Sequence, residues 1–287
     1  MKIFDCFMYF DEDIVLDVRL NYLDKYVDQF IIIESEYNHK GEKRTPLFDI
    51  NKFKKFENKI KYILTNDIPP GIENIKVDDN ESEIYRKSIF NAWKRENLQR
   101  NQISEGLSDA QEEDWVIISD LDEIPNLSEI KLKNINDNFV FFKQDMMYYK
   151  FNLRLENHIW VGSKACKVKN LESPQWIRDI KDKKYQWWRI DAYFSKKKYH
   201  NIRFIENGGW HFSYLMTADE ISKKIESMAH TEFNKEKFKN IEKIKENINN
   251  LIDPFDRNLR LKKVKIDDNY PEYLVQNINL YKDWILN

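Results

Sequence analysis

A chain of 287 residues is long enough for one large α/β domain with a sizeable core, or for two small domains. Lys and Arg number 47 against 49 Asp and Glu, a formal net charge of -2. Charge therefore gives no general attraction to nucleic acid or to anionic membranes. The two cysteines, Cys6 and Cys166, have neither metal-finger nor redox spacing, and a reducing compartment is the natural setting. The N-terminus lacks the apolar run and small-residue site of a signal peptide. No apolar stretch approaches the roughly 20 residues that span a bilayer. A cytoplasmic protein without a membrane span is expected.

In chain order, residues 2–10 read as a buried strand. Residues 13–25 carry Ile14, Leu16, Val18, Leu20 and Leu23 at spacings compatible with an amphipathic helix. Gln29–Ser35 is an apolar run ending in polar residues, the pattern of a central strand. Residues 36–46 form a polar loop with Gly41 and Pro46. Lys61–Thr65 is a further short strand, 81–107 a long helix ending at Gly106, and Trp115–Ser119 a third buried strand that runs into Asp120. Strand and helix alternate over the first ~125 residues, as in a doubly wound parallel sheet. Such sheets bind ligands at the carboxyl ends of their strands, where Glu34, Ser35, Asp120 and Asp122 fall. Beyond this point 139–151, 158–168 and 201–216 read as aromatic-rich strands, and 217–231 and 235–250 as charged amphipathic helices. The prediction is a single compact mixed-sheet domain over 1–287, its character changing after about residue 125, with a helical tail.

Ser119–Pro125 is the sharpest chemical feature: an apolar strand ends in Asp120, Asp122 and Glu123. Carboxylates this close repel unless a cation or a proton neutralises them. Oxygen ligands at this spacing suit Mg²⁺ or Mn²⁺, which can hold a diphosphate and offset its charge as it leaves. The plain alternative is a solvated strand-to-helix cap. In Asn207–Ser213, Gly208 and Gly209 would let the backbone approach a ligand, and His211 is a plausible last ligand for Mn²⁺. The alternative there is a tight turn before a core histidine. At the end of the long helix Arg95, Gln99 and Arg100 lie about one turn apart, and Arg100 could reach a diphosphate. That face is otherwise a solvated charged surface.

Taken together these segments resemble the family 17 glycosyltransferases, whose animal member adds the bisecting β-1,4-linked N-acetylglucosamine to N-glycans. Phe10–Leu20 is similar to the family's opening helix, Val27–Ser35 to its next strand and Asn38–Lys43 to its loop. Ser119–Pro125, Gly208–Ser213 and Tyr270–Leu274 match its later segments. The resemblance implies a GT-A fold, a Rossmann-like mixed sheet flanked by helices with a helical C-terminal part. It implies an inverting transfer, a UDP-sugar donor (UDP-N-acetylglucosamine by analogy), a carbohydrate acceptor and a divalent metal. Asp120 would contact the ribose or the metal, Asp122 would ligate the metal, and His211 would take the late histidine position. Glu34, Ser35, Arg100, Asp120, Gly208 and Gly209 are the donor-binding candidates.

An inverting transfer needs a general base for the acceptor hydroxyl, on the far side of the sugar from the diphosphate. Glu206, Asp179, Glu156 and Asp145 are the candidates, with Glu206 favoured for its place beside the glycine turn. Two other classes share parts of the pattern. Haloacid-dehalogenase-type phosphatases also open with an apolar strand and DxD, but on an early strand and with Thr or Val where Ile124 stands here. A non-catalytic nucleotide-sugar-binding module would keep the fold without turnover.

Overall fold

The computed structural model describes residues 1–128, 130–227, 236–255, 257 and 259–286. Strands β1 (Ile3–Met8), β2 (Gln29–Ser35), β3 (Ile60–Thr65) and β4 (Trp115–Asp120) lie parallel in the order β3-β2-β1-β4. Their sequences are nearly continuous apolar runs because both faces are covered. Phe7, Phe30, Ile32, Trp115 and Ile117 enter one buried cluster, and Phe4, Ile31, Ile33, Val116 and Ile118 enter a second on the opposite face. Cys6 and Cys166 are free thiols buried in that second cluster.

Helix α1 (Asp13–Leu23) covers the first face with Leu16, Leu20 and Leu23. Helix α2 (Glu81–Asn101) starts in a capping box in which Asn80 and Glu83 bond each other's backbone amides. The predicted run to 107 is interrupted at Gln102, and a separate turn, Ile103–Gly106, follows. That turn buries Ile103 beneath the sheet, and Gly106 lies so close to Ile31 that a Cβ would strike its side chain.

The second half extends the same sheet. It contains β5 (Glu123–Pro125), β6 (Phe139–Tyr148), β7 (Leu153–Lys167), β8 (Ile202–Ile205), β9 (Gly209–Ser213) and β10 (Leu261–Lys263). β4 pairs antiparallel with β7, and β7 antiparallel with β6. β9 runs parallel to β6, and β5 antiparallel to β9. The sheet order is therefore β3-β2-β1-β4-β7-β6-β9-β5, with β10 on β7 and β8 on β6. This mixed sheet with flanking helices agrees with the expected GT-A type. The single strand predicted over 201–216 is two. β8 pairs with Phe139–Phe142 and β9 with Asp145–Tyr148, and the turn between them resets the register along β6. The helices predicted over 217–231 and 235–250 are found as Ala218–Ser227 and Ile241–Asn249, while 228–235 lie outside the described residues. Among the described residues no helix is long and apolar enough to cross a membrane.

Helix α1 also carries Arg19, whose side chain has no exposed surface. Its Nε donates to Asp5 Oδ2 at 2.8 Å and Nη2 to Asp5 Oδ1 at 2.6 Å. The remaining nitrogen, Nη1, donates to the carbonyls of Asp120, Leu121 and Glu123 at 3.0, 2.9 and 2.8 Å. One guanidinium thus ties β1 to the turn that follows β4. A buried charge that loses its only partner costs about 3–5 kcal/mol. Arg19→Leu is therefore expected to lower the urea-derived stability by about that amount. Asp5→Leu combined with Arg19→Leu should stay destabilised, because the three carbonyls still lack a donor. Recovery of wild-type stability in the double variant would contradict the capping role of Nη1.

Candidate active site

At the carboxyl ends of β1, β2 and β4 a cleft of ≈ 380 Å³ opens. Its floor is the turn Asp120–Asp122. After β4 no helix begins, so the helix-cap alternative does not apply. The chain turns into β5, a three-residue strand that ends at Pro125. A proline without an N–H is tolerated at the rim of a sheet, and β5 is the last strand in the order. The β5–β9 ladder sets Glu123 opposite His211, and the Phe212 amide donates to the Asp122 carbonyl at 2.8 Å. Backbone pairing across 88 residues of sequence thus delivers the histidine beside the second aspartate. His211 Nε2 lies 3.4 Å from Asp122 Oδ2, with both side chains largely buried.

Gly208 and Gly209 make this ladder possible, although not by approaching a ligand. A Cβ on Gly208 would sit 2.6 Å from the Lys143 nitrogen. Gly209 has φ 128°, and a Cβ there would meet the Ile124 carbonyl and lie 2.8 Å from the Asn126 nitrogen. The close approach is to the protein's own strands, and neither glycine lines the cleft.

The three acids of the turn have separate environments. Glu123 is fully buried and accepts from Arg178 Nη1 (2.6 Å) and Nη2 (3.0 Å), from Trp160 Nε1 (2.6 Å) and from the Asp120 amide (2.8 Å). It is a structural anchor. A side chain at Gly162 would displace it, since a Cβ there would fall 2.6 Å from its carboxyl carbon. Asp120 is 38 % exposed at the cleft floor, with Oδ1 3.0 Å from Arg100 and Oδ2 3.1 Å from Arg178. Burial would raise its pKa, but Arg178 and then Arg100 outweigh burial and hold the carboxyl well below the usual range. Arg100 in turn bonds Glu96 at 2.8 Å and Gln175. Asp122 faces the imidazole.

Of the other predicted residues, Ser35 lines the cleft and its hydroxyl accepts from the Tyr37 amide at 3.1 Å. Glu34 does not line it. This buried carboxylate accepts from the amides of Leu47 and Phe48 at 2.7 and 3.1 Å, from Tyr62 Oη at 2.9 Å, and pairs with Arg44. Its task is to hold the 36–48 loop over β2. The proposed bases lie elsewhere: Glu206 pairs with Lys143, Asp179 with Lys197, Asp145 with Arg154 and Glu156 with Lys262. None of the four lines the cleft; its carboxylates beyond the DxD pair are Glu12 and Glu96. Sequence reasoning also passed over Arg44, Trp160 and Lys224, which line the cleft, and Arg178 behind it. Lys224 reaches in from helix Ala218–Ser227 to meet Glu12 Oε1 at 2.7 Å. Only tertiary contacts distinguish these residues from surface charges.

With this geometry in hand, comparison with known proteins decides the family. The model of glycosyltransferase family 17 matches residues 1–258. The chain belongs to glycosyltransferase family 17. It is a glycosyltransferase, and sugar donor and acceptor are its substrate classes. The matched stretch contains every residue that forms the cleft floor, while Tyr270–Leu274 lies past its end. No curated protein matches the chain.

The Asp122–His211 pair predicts a pH dependence of the transferase's stability. Burial disfavours the imidazolium. Asp122, backed by Glu123 and Asp120, outweighs burial and raises the pKa above the ordinary 6.5. A raised histidine pKa stabilises the fold below the unfolded value, and that contribution is lost as pH rises through the folded value. With chelator present, the urea midpoint should fall as pH rises from about 6 upward, and His211→Gln should flatten that slope. An unchanged slope in the variant would assign the dependence to another group.

Proposed function

We propose that this glycosyltransferase is an inverting, metal-dependent enzyme that moves a sugar from a UDP-sugar onto a glycan hydroxyl, giving a β-linked product. N-acetylglucosamine is the sugar suggested by the family resemblance. The observation that carries the reading is the facing pair Asp122 and His211 at the floor of a cleft that Arg44, Arg100 and Lys224 also line.

The donor set favours a divalent cation. One carboxylate oxygen and one imidazole nitrogen, 3.4 Å apart, form a mixed site that suits Mn²⁺ better than the all-oxygen preference of Mg²⁺. Among the described residues no three of His, Cys, Asp and Glu converge as a ready-made metal centre. Such a site leaves coordination positions for donor oxygens. Asp120, expected as ribose contact or metal ligand, has each oxygen engaged by an arginine, which supports a positioning task. When bound, the cation would neutralise charge on the departing diphosphate. Arg100, Arg44 and Lys224 line the same cleft and supply further positive charge for it. Ser35, at the carboxyl end of β2 and lining the cleft, supports a nucleoside contact at that strand end. Trp160, partly exposed beside His211 with ring centroids 5.4 Å apart, offers a flat apolar surface to a sugar ring.

The metal reading has a direct test. UDP with Mn²⁺ should raise the melting temperature, and GDP should not, by mass action on the folded state. Asp122→Asn and His211→Ala should each raise the half-saturating Mn²⁺ at least roughly tenfold. In wild type that requirement should grow as pH falls, because protons compete for the imidazole. Full UDP release from UDP-sugar and acceptor in excess chelator would overturn the reading.

The base is assigned to the acids that line the cleft, Glu12 or Glu96. Exchange of the operative one for Gln should reduce kcat by about 10²–10⁴-fold while leaving UDP protection intact. Glu206→Gln and Asp179→Asn, which lie outside the cleft, should stay near wild type. A large kcat loss in either of these, with both cleft variants active, would move the base to that residue.

A further inference from the structure

Residues 181–200 are absorbed by no part of the site. This stretch holds seven Lys and Arg against two Asp, a local positive excess that the near-neutral total conceals. It is also the densest run of exposed apolar side chains. Trp187 is 75 %, Trp188 59 %, Ile190 69 %, Tyr193 65 % and Phe194 85 % exposed. A soluble domain normally buries such rings, and a contiguous exposed group of them marks an interaction surface.

The segment is anchored at its base. Trp176 Nε1 donates to the Lys196 carbonyl at 2.7 Å and the Lys181 amide to the Lys197 carbonyl at 2.8 Å. Lys164 pairs with Asp182 and Lys197 with Asp179 at 2.6 Å, and Ala192 is buried. The rings are thus held outward by a pinned loop. Both acids of the segment are already used, Asp182 by Lys164 and Asp191 by Arg189 and Lys198. Lys181, Lys183 and Lys184 have no acidic partner among the described residues. Unpaired lysines beside projecting Trp, Ile and Phe complement a surface that is anionic at its face and hydrocarbon beneath. Trp and Tyr settle at the headgroup level and lysines at the charged face. A neutral glycan would stack on the rings but would leave the lysines without a counter-charge.

We propose that residues 181–200 form a peripheral docking surface for an anionic lipid membrane. The segment begins two residues after helix Pro174–Asp179, which supplies Arg178 to the site, so docking would hold the cleft beside the lipid surface. The proposal does not depend on the donor or the metal.

The test is co-sedimentation of the full chain with phosphatidylcholine vesicles, with and without phosphatidylglycerol, in the absence of nucleotide. Binding is expected to the anionic vesicles and should weaken as salt rises. Lys183→Glu with Lys184→Glu should lower the partition at least roughly tenfold, given about fivefold per basic residue. Trp187→Ser with Phe194→Ser should lower it as well. All four positions are exposed, so both double variants should keep the wild-type unfolding midpoint and the wild-type rate of sugar transfer to a soluble acceptor. Equal binding to neutral vesicles, no binding, or wild-type partition in both variants would overturn the proposal. So would retention on an immobilised neutral glycan, or self-association, that is lost in the Trp187 variant while vesicles are ignored.

Discussion

Arg19 sits without exposed surface between β1 and the turn after β4, and much of the site depends on where that turn lies. Its two arms on Asp5 neutralise a charge pair that burial would otherwise make costly. Its third nitrogen holds three carbonyls of the turn, those of Asp120, Leu121 and Glu123. Those carbonyls point inward, which leaves the Asp120 and Asp122 side chains facing the cleft. The pair is worth little as a source of net stability. Its value is positional, because a turn of carboxylates needs a rigid backbone if the charges are to stay where a ligand can use them.

Above that backbone the protein separates its negative charges by partner. Glu123 and Asp120 share Arg178, and Asp120 also takes Arg100. These contacts leave Asp122 facing His211, with the charge of Lys224 acting on it as well. An arginine cannot be deprotonated at ordinary pH, so the Asp120 and Glu123 pairs persist across the working range. An imidazole can give up its proton, so the Asp122 pair is the one whose charge state can change near neutral pH. Two adjacent aspartates with the same sequence signature thereby differ in chemistry.

The rim of the cleft is assembled from distant parts. Lys224 arrives from helix Ala218–Ser227, Trp160 from the long strand β7, and Glu96 and Arg100 from α2. Each is already bonded to a counterpart: Lys224 to Glu12, Trp160 to Glu123, Arg100 to Glu96. Such preformed pairs orient the groups before a ligand arrives. Glu206, favoured in the sequence for its place beside the glycine turn, is not among the residues that line this rim. Glu206 lies on the outer side of the turn, where Lys143 neutralises it.

The early strands, their parallel pairing and the strand-end position of the acidic turn were legible in the sequence. Buried runs such as Gln29–Ser35 and Trp115–Asp120 need both faces covered, and that leaves an unmistakable apolar signature. The placement of Asp120 and Asp122 at a strand end follows from the same signal. His211 was legible as a candidate through its glycine and aromatic neighbours. Tertiary structure alone decided its partner, because β5 is three residues long and a ladder that short has no periodicity to read. It also decided that Gly208 and Gly209 serve strand packing, that Glu34 and Glu123 are buried anchors, that Arg178 braces Asp120 and Glu123 from behind the cleft, and that Lys224 reaches into it. A charged residue looks the same in sequence whether it faces water or a counter-charge. Its role is fixed by the long-range pairing that takes it out of solvent, and that pairing exists only once the sheet has closed.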